Sequence, residues 1–463
     1  MSQLTRGINR RQVIAGALGA TAALPGLRAS AQDATPSSSP MAVNTDISGE
    51  VNVAMVGNPQ MVVLDELLPE FNKVYPNITI NNRIVPENEV RQIITQDIST
   101  QAGQFDLVTI GTFEVPLWGA NGWLAPMDEV ASDPAYDLKD VFPAHRDGLS
   151  ADGVLYGLPF YGESAMTFYR TDLFEAAGLT MPERPTFDEL AGFARQLHKP
   201  DEEIYGIALR GLPGWGQQLA PLTCVINAYG GRWFNENWEA QLGAEKSKAA
   251  ITAYITLLQE AGIPGADQAG FTECETLMNQ GKAAMWCDAT SAAELVSDPA
   301  LSTVADKIGF AYFPRQEGMG NWLWNWAFAI AETSQNKEAA VAFVKWATSK
   351  EYQVLVSELR GWGSAPTGAR QSTYENASYQ EFAGKFYNIV LTAIGEANPN
   401  APTVEPVPYT GGQFVRVPEF QQLGDDVSRE FAAAIVGEQS IDDAIGKADE
   451  LANTMAIEAG YQG

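Results

Sequence analysis

The chain has 463 residues, 45% hydrophobic and 19% charged, with 29 Lys and Arg against 57 Asp and Glu and a formal net charge of −28. That acidity argues against nucleic acid and anionic membrane surfaces as partners, because both need clustered basic side chains. Two histidines (His145, His198) and three cysteines (Cys224, Cys274, Cys287), with no C-x-x-C spacing, give no support for a His-based zinc site, a redox pair or a Ser-His-Asp triad. No metal, cofactor or catalytic residue is therefore assigned.

Residues 1–31 read as an export signal. The basic start Asn9-Arg10-Arg11-Gln12-Val13-Ile14 precedes a short small-apolar run, and Ala29-Ser30-Ala31 has the A-x-A form of a cleavage site. The run is too short to span a bilayer and contains Pro25 and Gly26. The paired arginines point to twin-arginine export, with the general secretory route as the alternative. Without these residues the chain keeps 25 basic and 57 acidic side chains, a balance of −32 that serves solubility or attracts a cationic ligand. Residues 32–46, with Pro36-Ser37-Ser38-Ser39-Pro40, read as a flexible linker. In an oxidising compartment Cys274 and Cys287 are the pair best placed to bridge, leaving one odd thiol.

The remaining length suggests two lobes. Strand, helix, strand, helix, strand over 50–56, 61–74, 78–84, 87–102 and 106–110 predicts a parallel sheet sandwiched by helices. Ligands of such sheets sit beyond the strand carboxyl ends. Here those ends are Gly57-Asn58-Pro59 and Gly111-Thr112-Phe113-Glu114. A strand at 165–169 is followed by helices starting at Thr171 and Thr186, the second with a Thr186–Glu189 capping box. A further strand is expected at 205–209. Then come a helix through Ala250, Ile251, Tyr254, Leu257, Leu258 and Ala261 that Gly262 stops, and helices at 338–346, 378–394 and 419–436.

Aromatic and polar residues recur together in loops after strands: Thr112-Phe113-Glu114, Phe160-Tyr161-Gly162-Glu163, Arg210 with Trp215-Gly216-Gln217, Asp288-Ala289-Thr290, Asn321-Trp322-Leu323-Trp324-Asn325-Trp326, and Gly361-Trp362. Flat apolar rings beside groups that donate and accept hydrogen bonds suit a ligand with C–H patches and hydroxyls. The alternation of Trp322, Trp324 and Trp326 also fits the buried face of a strand.

The segments Tyr156-Gly157-Leu158-Pro159-Phe160-Tyr161-Gly162-Glu163-Ser164, Phe168 to Phe174, Met278 to Trp286 and Asn336 to Trp346 together resemble the extracellular solute-binding proteins of ABC importers, in the branch that includes maltose-binding protein. The resemblance implies an α/β fold of two lobes, periplasmic-binding-protein-like and of type II, with a ligand cleft between them. It implies lobes of residues 47–161 with 313–362, and 162–312 with 363–463, the chain crossing near 159–164, Phe313 and Gly363. Leu209-Arg210-Gly211 with Gly214-Trp215-Gly216 looks most like the binders of mannitol and sorbitol.

On this reading a monomer outside the cytoplasm, in the periplasm or at the outer cell surface, captures a small neutral carbohydrate or polyol by hinge closure. It then meets the importer's transmembrane subunits. Trp215, Trp322 and Trp324 stack on C–H surface, and Glu114, Glu163, Asp288, Arg210 and Asn325 pair with hydroxyls. Asn58, Thr112, Phe113, Tyr161, Gln217, Thr290, Gly361 and Trp362 complete the expected site, and Trp326 is assigned to the core. The rivals are a secreted glycoside hydrolase or lyase using two carboxylates, an importer component for polyamines and a purely structural surface protein.

Overall fold

A computed structural model describes residues 42–462. The expected export signal, and the expected linker up to residue 41, lie outside the described residues. The last residues of that linker are tied to the fold, the Asn44 N–H donating to the Val74 carbonyl at 2.7 Å.

The described strands are β1 Gly49–Val56, β2 Ile78–Val85, β3 Leu107–Ile110, β4 Ser150–Ala151, β5 Val154–Leu155, β6 Leu158–Glu163, β7 Ala165–Arg170, β8 Met285–Ala289, β9 Ile308–Tyr312 and β10 Trp324–Ile330. Five of them form one sheet in the order β2-β1-β3-β10-β6, and three form a second in the order β8-β7-β9. The apolar run through Val53, Ala54, Met55 and Val56 is buried throughout, as expected of a strand covered by helices on both faces. β1 pairs parallel with β2 and β3, but β10 runs antiparallel to β3 and β6. The three strands expected to form a parallel sheet do so, and β10 makes the full five-stranded sheet mixed. The reason is the path of the chain: β10 re-enters from the second sheet, at the end where β3 and β6 finish, so it runs the opposite way.

Helices follow the apolar periodicity, with breaks that periodicity does not report. The expected helix at 61–74 is two, Pro59–Glu66 and Leu68–Val74, divided where Pro69 has no N–H to continue the ladder. The expected helix at 378–394 is likewise Ala377–Ala383 and Tyr387–Glu396. Residues 205–209 make only isolated parallel bridges, among them Ala208 with Trp286 of β8. The capping box at Thr186 and the stop at Gly262 are formed as expected.

The chain passes from the first sheet to the second at Ser164, between β6 and β7, and returns over 313–323. Asn321 ties these passages together: its Oδ1 accepts from the Ser164 hydroxyl and from the Ala165 N–H, and its Nδ2 donates to the Ala393 carbonyl at 2.8 Å. Just past Gly363, where the third passage is expected, the chain keeps contacts with the first sheet and its neighbouring loops. The Gly162 N–H still donates to Thr367, the Phe142 N–H to Ala369, and Arg370 pairs with Asp140 at 3.0 Å. Helix Tyr387–Glu396 packs on β7 and β9.

All three cysteines are buried free thiols, so the expected pairing of Cys274 with Cys287 is not formed. Cys287 instead faces Thr167 across the β7–β8 ladder, its Sγ 3.5 Å from the Thr167 hydroxyl, while Cys274 packs in the core from helix Phe271–Asn279.

Candidate functional site

β10 and β6 meet with Trp324 opposite Glu163 and Trp326 opposite Tyr161. Successive residues face opposite sides of a strand, so this register sets two tryptophans of β10 on one face. A Cβ on Gly111, just past β3, would stand 2.2 Å from Trp324 Cζ2 and 2.7 Å from the Asn325 carbonyl oxygen, so only glycine lets the indole lie across the end of that strand. Here, between the two sheets, is a small cavity of about 30 Å3.

Seven of the sixteen expected site residues line it: Asn58, Tyr161, Glu163, Arg210, Trp215, Trp322 and Trp324. Trp326, expected in the core, lines it too, as do Glu87, Arg91, Gly216, Ala220, Phe271, Ser291 and Gln413. Glu87 and Arg91 escape sequence reading because they sit on helix Glu87–Thr100, at its first residue and one turn further on, rather than in the loop before it. Their i,i+4 spacing after a strand was the available signal. Phe271 and Gln413 lie in stretches with no motif.

Arg91 dominates one wall. Its guanidinium carbon lies 4.0 Å from the Trp215 ring centroid, 4.9 Å from Trp326 and 5.1 Å from Trp324. Nη1 donates to Glu114 Oε1 at 2.6 Å, and Nη2 and Nε donate to Glu87 Oε1 at 2.9 and 3.1 Å. One face of each ring is thus occupied by a neutralised cation, which changes the stacking role expected of Trp215 and Trp324.

Arg210 forms the second ion pair, Nε and Nη2 gripping Asp288 at 2.8 and 2.5 Å while Nη1 donates to the Gly216 carbonyl at 3.1 Å. Burial works against the guanidinium charge, but the Asp288 carboxylate outweighs it and holds the arginine more firmly protonated than usual. Glu163 has no such partner. Burial pushes its pKa up to about 7, with the Ser291 hydroxyl (2.6 Å) and the Arg210 charge opposing the rise. Burial also raises Tyr161, whose neutral phenol oxygen accepts from Asn58 Nδ2 at 2.7 Å.

The other nine expected residues do not line the cavity. Glu114 and Asp288 are spent on Arg91 and Arg210, so their oxygens hold the arginines in place. Gln217 lies behind the wall, donating to Glu87 at 3.0 Å and accepting from the Phe271 N–H. Phe113 packs against Trp215 and Phe414. Thr112 donates to the Leu323 carbonyl, and Thr290 accepts from the Ser164 N–H at 3.0 Å, both bracing the passages between sheets. Asn325 is fully buried on the face of β10 away from Trp324 and Trp326. Gly361 caps helix Lys350–Arg360, and Trp362 packs on Tyr379 with its indole N–H donated to Ser378.

Two sheets joined by repeated passages, with a polar and aromatic cavity where they meet, define a two-lobed solute-binding protein of type II. The family model for bacterial extracellular solute-binding proteins matches residues 36–354, and the chain belongs to that family, as the substrate-binding component of an ABC importer. The chain is 44% identical to the mannitol-binding protein of Pseudomonas aeruginosa over 413 residues, 89% of this chain and 94% of that one. It is similar to the crystal structure of an ABC transporter solute-binding protein from Agrobacterium vitis with bound D-mannitol, at TM-score 0.88 and 44% identity over 89% of this chain and 100% of that one. A solute-binding protein from Agrobacterium radiobacter in complex with ribitol matches at TM-score 0.79 and 25% identity, with 89% and 100% covered.

Proposed function

We infer that this protein captures a neutral, open-chain polyol, with mannitol the first candidate, and delivers it to the membrane subunits of the importer. The observation that carries the reading is the cavity itself. Both guanidinium groups in it are already paired with carboxylates, and burial raises the carboxyl there without a cationic partner, Glu163, to about 7. What remains for a ligand is C–H surface to cover and hydroxyls to pair. Hydrogen bonds to the buried charged groups are stronger than neutral ones, and a missing hydroxyl leaves them unmet. The names of the similar proteins, a mannitol-binding protein and structures holding D-mannitol and ribitol, support the same class.

Closure brings the two sides together around the ligand. Asn88 Nδ2 donates to the Pro213 carbonyl at 2.9 Å, Gln217 reaches Glu87, and Arg91 meets Trp215, so these contacts reward the closed arrangement and ligand shifts the population toward it. The protein acts as an exported monomer, sent out by the twin-arginine route.

Calorimetry with mannitol, sorbitol, ribitol, maltose and spermidine tests the reading. Heat is expected with the hexitols and no heat with spermidine. Binding of spermidine alone, or of no polyol or sugar at all, refutes it.

A further inference from the structure

Two buried polar atoms on the cavity wall have no partner within the protein: the indole N–H of Trp322 and Oε1 of Gln413. Trp322 comes from the passage between β9 and β10, Gln413 from the irregular stretch before helix Phe420–Ile435. The two stretches touch. A Cβ on Gly412 would stand 2.7 Å from the Asn321 carbonyl oxygen and 3.1 Å from Trp322 Cα, so the loop bearing Gln413 lies directly on the backbone bearing Trp322.

Both side chains are held from behind. The Gly412 carbonyl accepts from Asn227 Nδ2 at 2.8 Å, and the Gly411 N–H donates to Pro399 at 2.7 Å. Phe414 packs edge-on against Phe113 and Trp324. The Trp322 backbone N–H donates to Asn321 Oδ1 at 2.9 Å, and its ring packs on Phe313. An indole nitrogen can only donate and an amide oxygen can only accept, yet these two do not bond each other. Buried groups left in this state are costly, and one ligand group relieves both if it accepts and donates at once.

We propose that Trp322 and Gln413 form a hydroxyl-reading subsite, in which one ligand hydroxyl accepts from the Trp322 indole N–H and donates to Gln413 Oε1. The inference rests on the polyol reading above. It adds the two residues that set specificity at one carbon. A methylene there meets neither group, a carboxylate has no proton for Gln413, and an ammonium has no lone pair for Trp322. The subsite therefore selects against deoxy, acid and amino analogues at that carbon, while the rest of the cavity holds the chain of the polyol.

The test is calorimetric affinity for mannitol and its monodeoxy derivatives, measured on the full chain and on the Gln413→Met and Trp322→Phe variants. Unliganded melting curves serve as the folding control. The unsubstituted protein should bind one monodeoxy derivative about tenfold or more weakly than mannitol, the size of one buried polar mismatch. Gln413→Met should lose about tenfold for mannitol but less than about threefold for that derivative, because the partner it lacks is already missing there. Trp322→Phe, which keeps an aromatic ring in place, should give the same pattern. If both variants bind mannitol as tightly as the unsubstituted protein, or lose every ligand equally, the subsite is overturned and the polyol reading stands. If the unsubstituted protein binds no polyol, both fall.

Discussion

Replacing Arg91 with Met removes one charge from a buried set of three. Its side chain is 9% exposed, Glu87 is 9% and Glu114 is 2%, so none of the charges has water to fall back on. Without the guanidinium, Glu114 keeps only the Gly111 N–H, at 3.0 Å. Removing one partner of a buried ion pair costs about 3–5 kcal/mol, because the remaining charge is uncompensated. Methionine recovers part of this against Trp215, Trp324 and Trp326, at about 0.3–1.5 kcal/mol for a sulfur–ring contact. The net loss should be about 3 kcal/mol, read from urea unfolding at neutral pH by tryptophan fluorescence and circular dichroism together. Adding Glu114→Gln to Arg91→Met should restore about 1–2 kcal/mol, since the second change removes the stranded charge. A loss below about 1 kcal/mol, or a double variant weaker than Arg91→Met alone, would refute the account of Arg91 as the counter-charge that makes Glu114 tolerable.

Other consequences are as direct. Arg210→Met should destabilise by a comparable amount, about 3–5 kcal/mol, because Asp288 is fully buried and loses a two-point partner; an unchanged urea midpoint would contradict this. Burial raises Glu163, Glu275 and Glu294 from 4.5 to about 7 each. Their favourable contribution is whole below about pH 4.5, where both states hold the proton, and is lost as pH rises to about 7, because the unfolded chain ionises first. Glu163→Gln should flatten the fall in stability between pH 5 and 8 by roughly 3 kcal/mol, measured from urea midpoints across that range. Gly111→Ala should push Trp324 off the end of β3 and weaken polyol binding at least tenfold, with about 1–3 kcal/mol lost in stability; wild-type affinity would show that the indole can yield. Thiol reagent should label Cys224, Cys274 and Cys287 only on unfolding, and reductant should leave the melting temperature unchanged.

Much of the fold is written in local pattern. β1, β2 and β3 are continuous or alternating apolar runs, and the Thr186 cap and Gly262 stop carry their own chemistry. The direction of β10 is not local: it depends on the chain returning through 313–323, which no window around Trp324 records. The site divides in the same way. Strand-end position points to Asn58, Tyr161 and Glu163, because ligands of such sheets sit beyond the strand ends. It cannot tell a carboxylate aimed at ligand from one aimed at an arginine, and Glu114 and Asp288 are of the second kind, bound to Arg91 and Arg210. Trp326 is buried in the core as expected, and because period two puts it on the same face as Trp324 it borders the cavity as well. Gln413 lies nearly 90 residues from the tryptophans and meets them only in three dimensions.

The placement of Arg91 over three indoles has a further meaning for which solutes the protein takes up. Aromatic boxes of this kind are attractive to ammonium groups, and a surface with this many carboxylates draws cations toward it from solution. An amine reaching the cleft meets rings whose charge-binding faces are already held by a rival that is covalently attached, paired with two carboxylates and never dilute. On the proposed polyol function, the arginine acts as a built-in competitor, so that a protein this acidic would still keep its binding cavity for uncharged cargo.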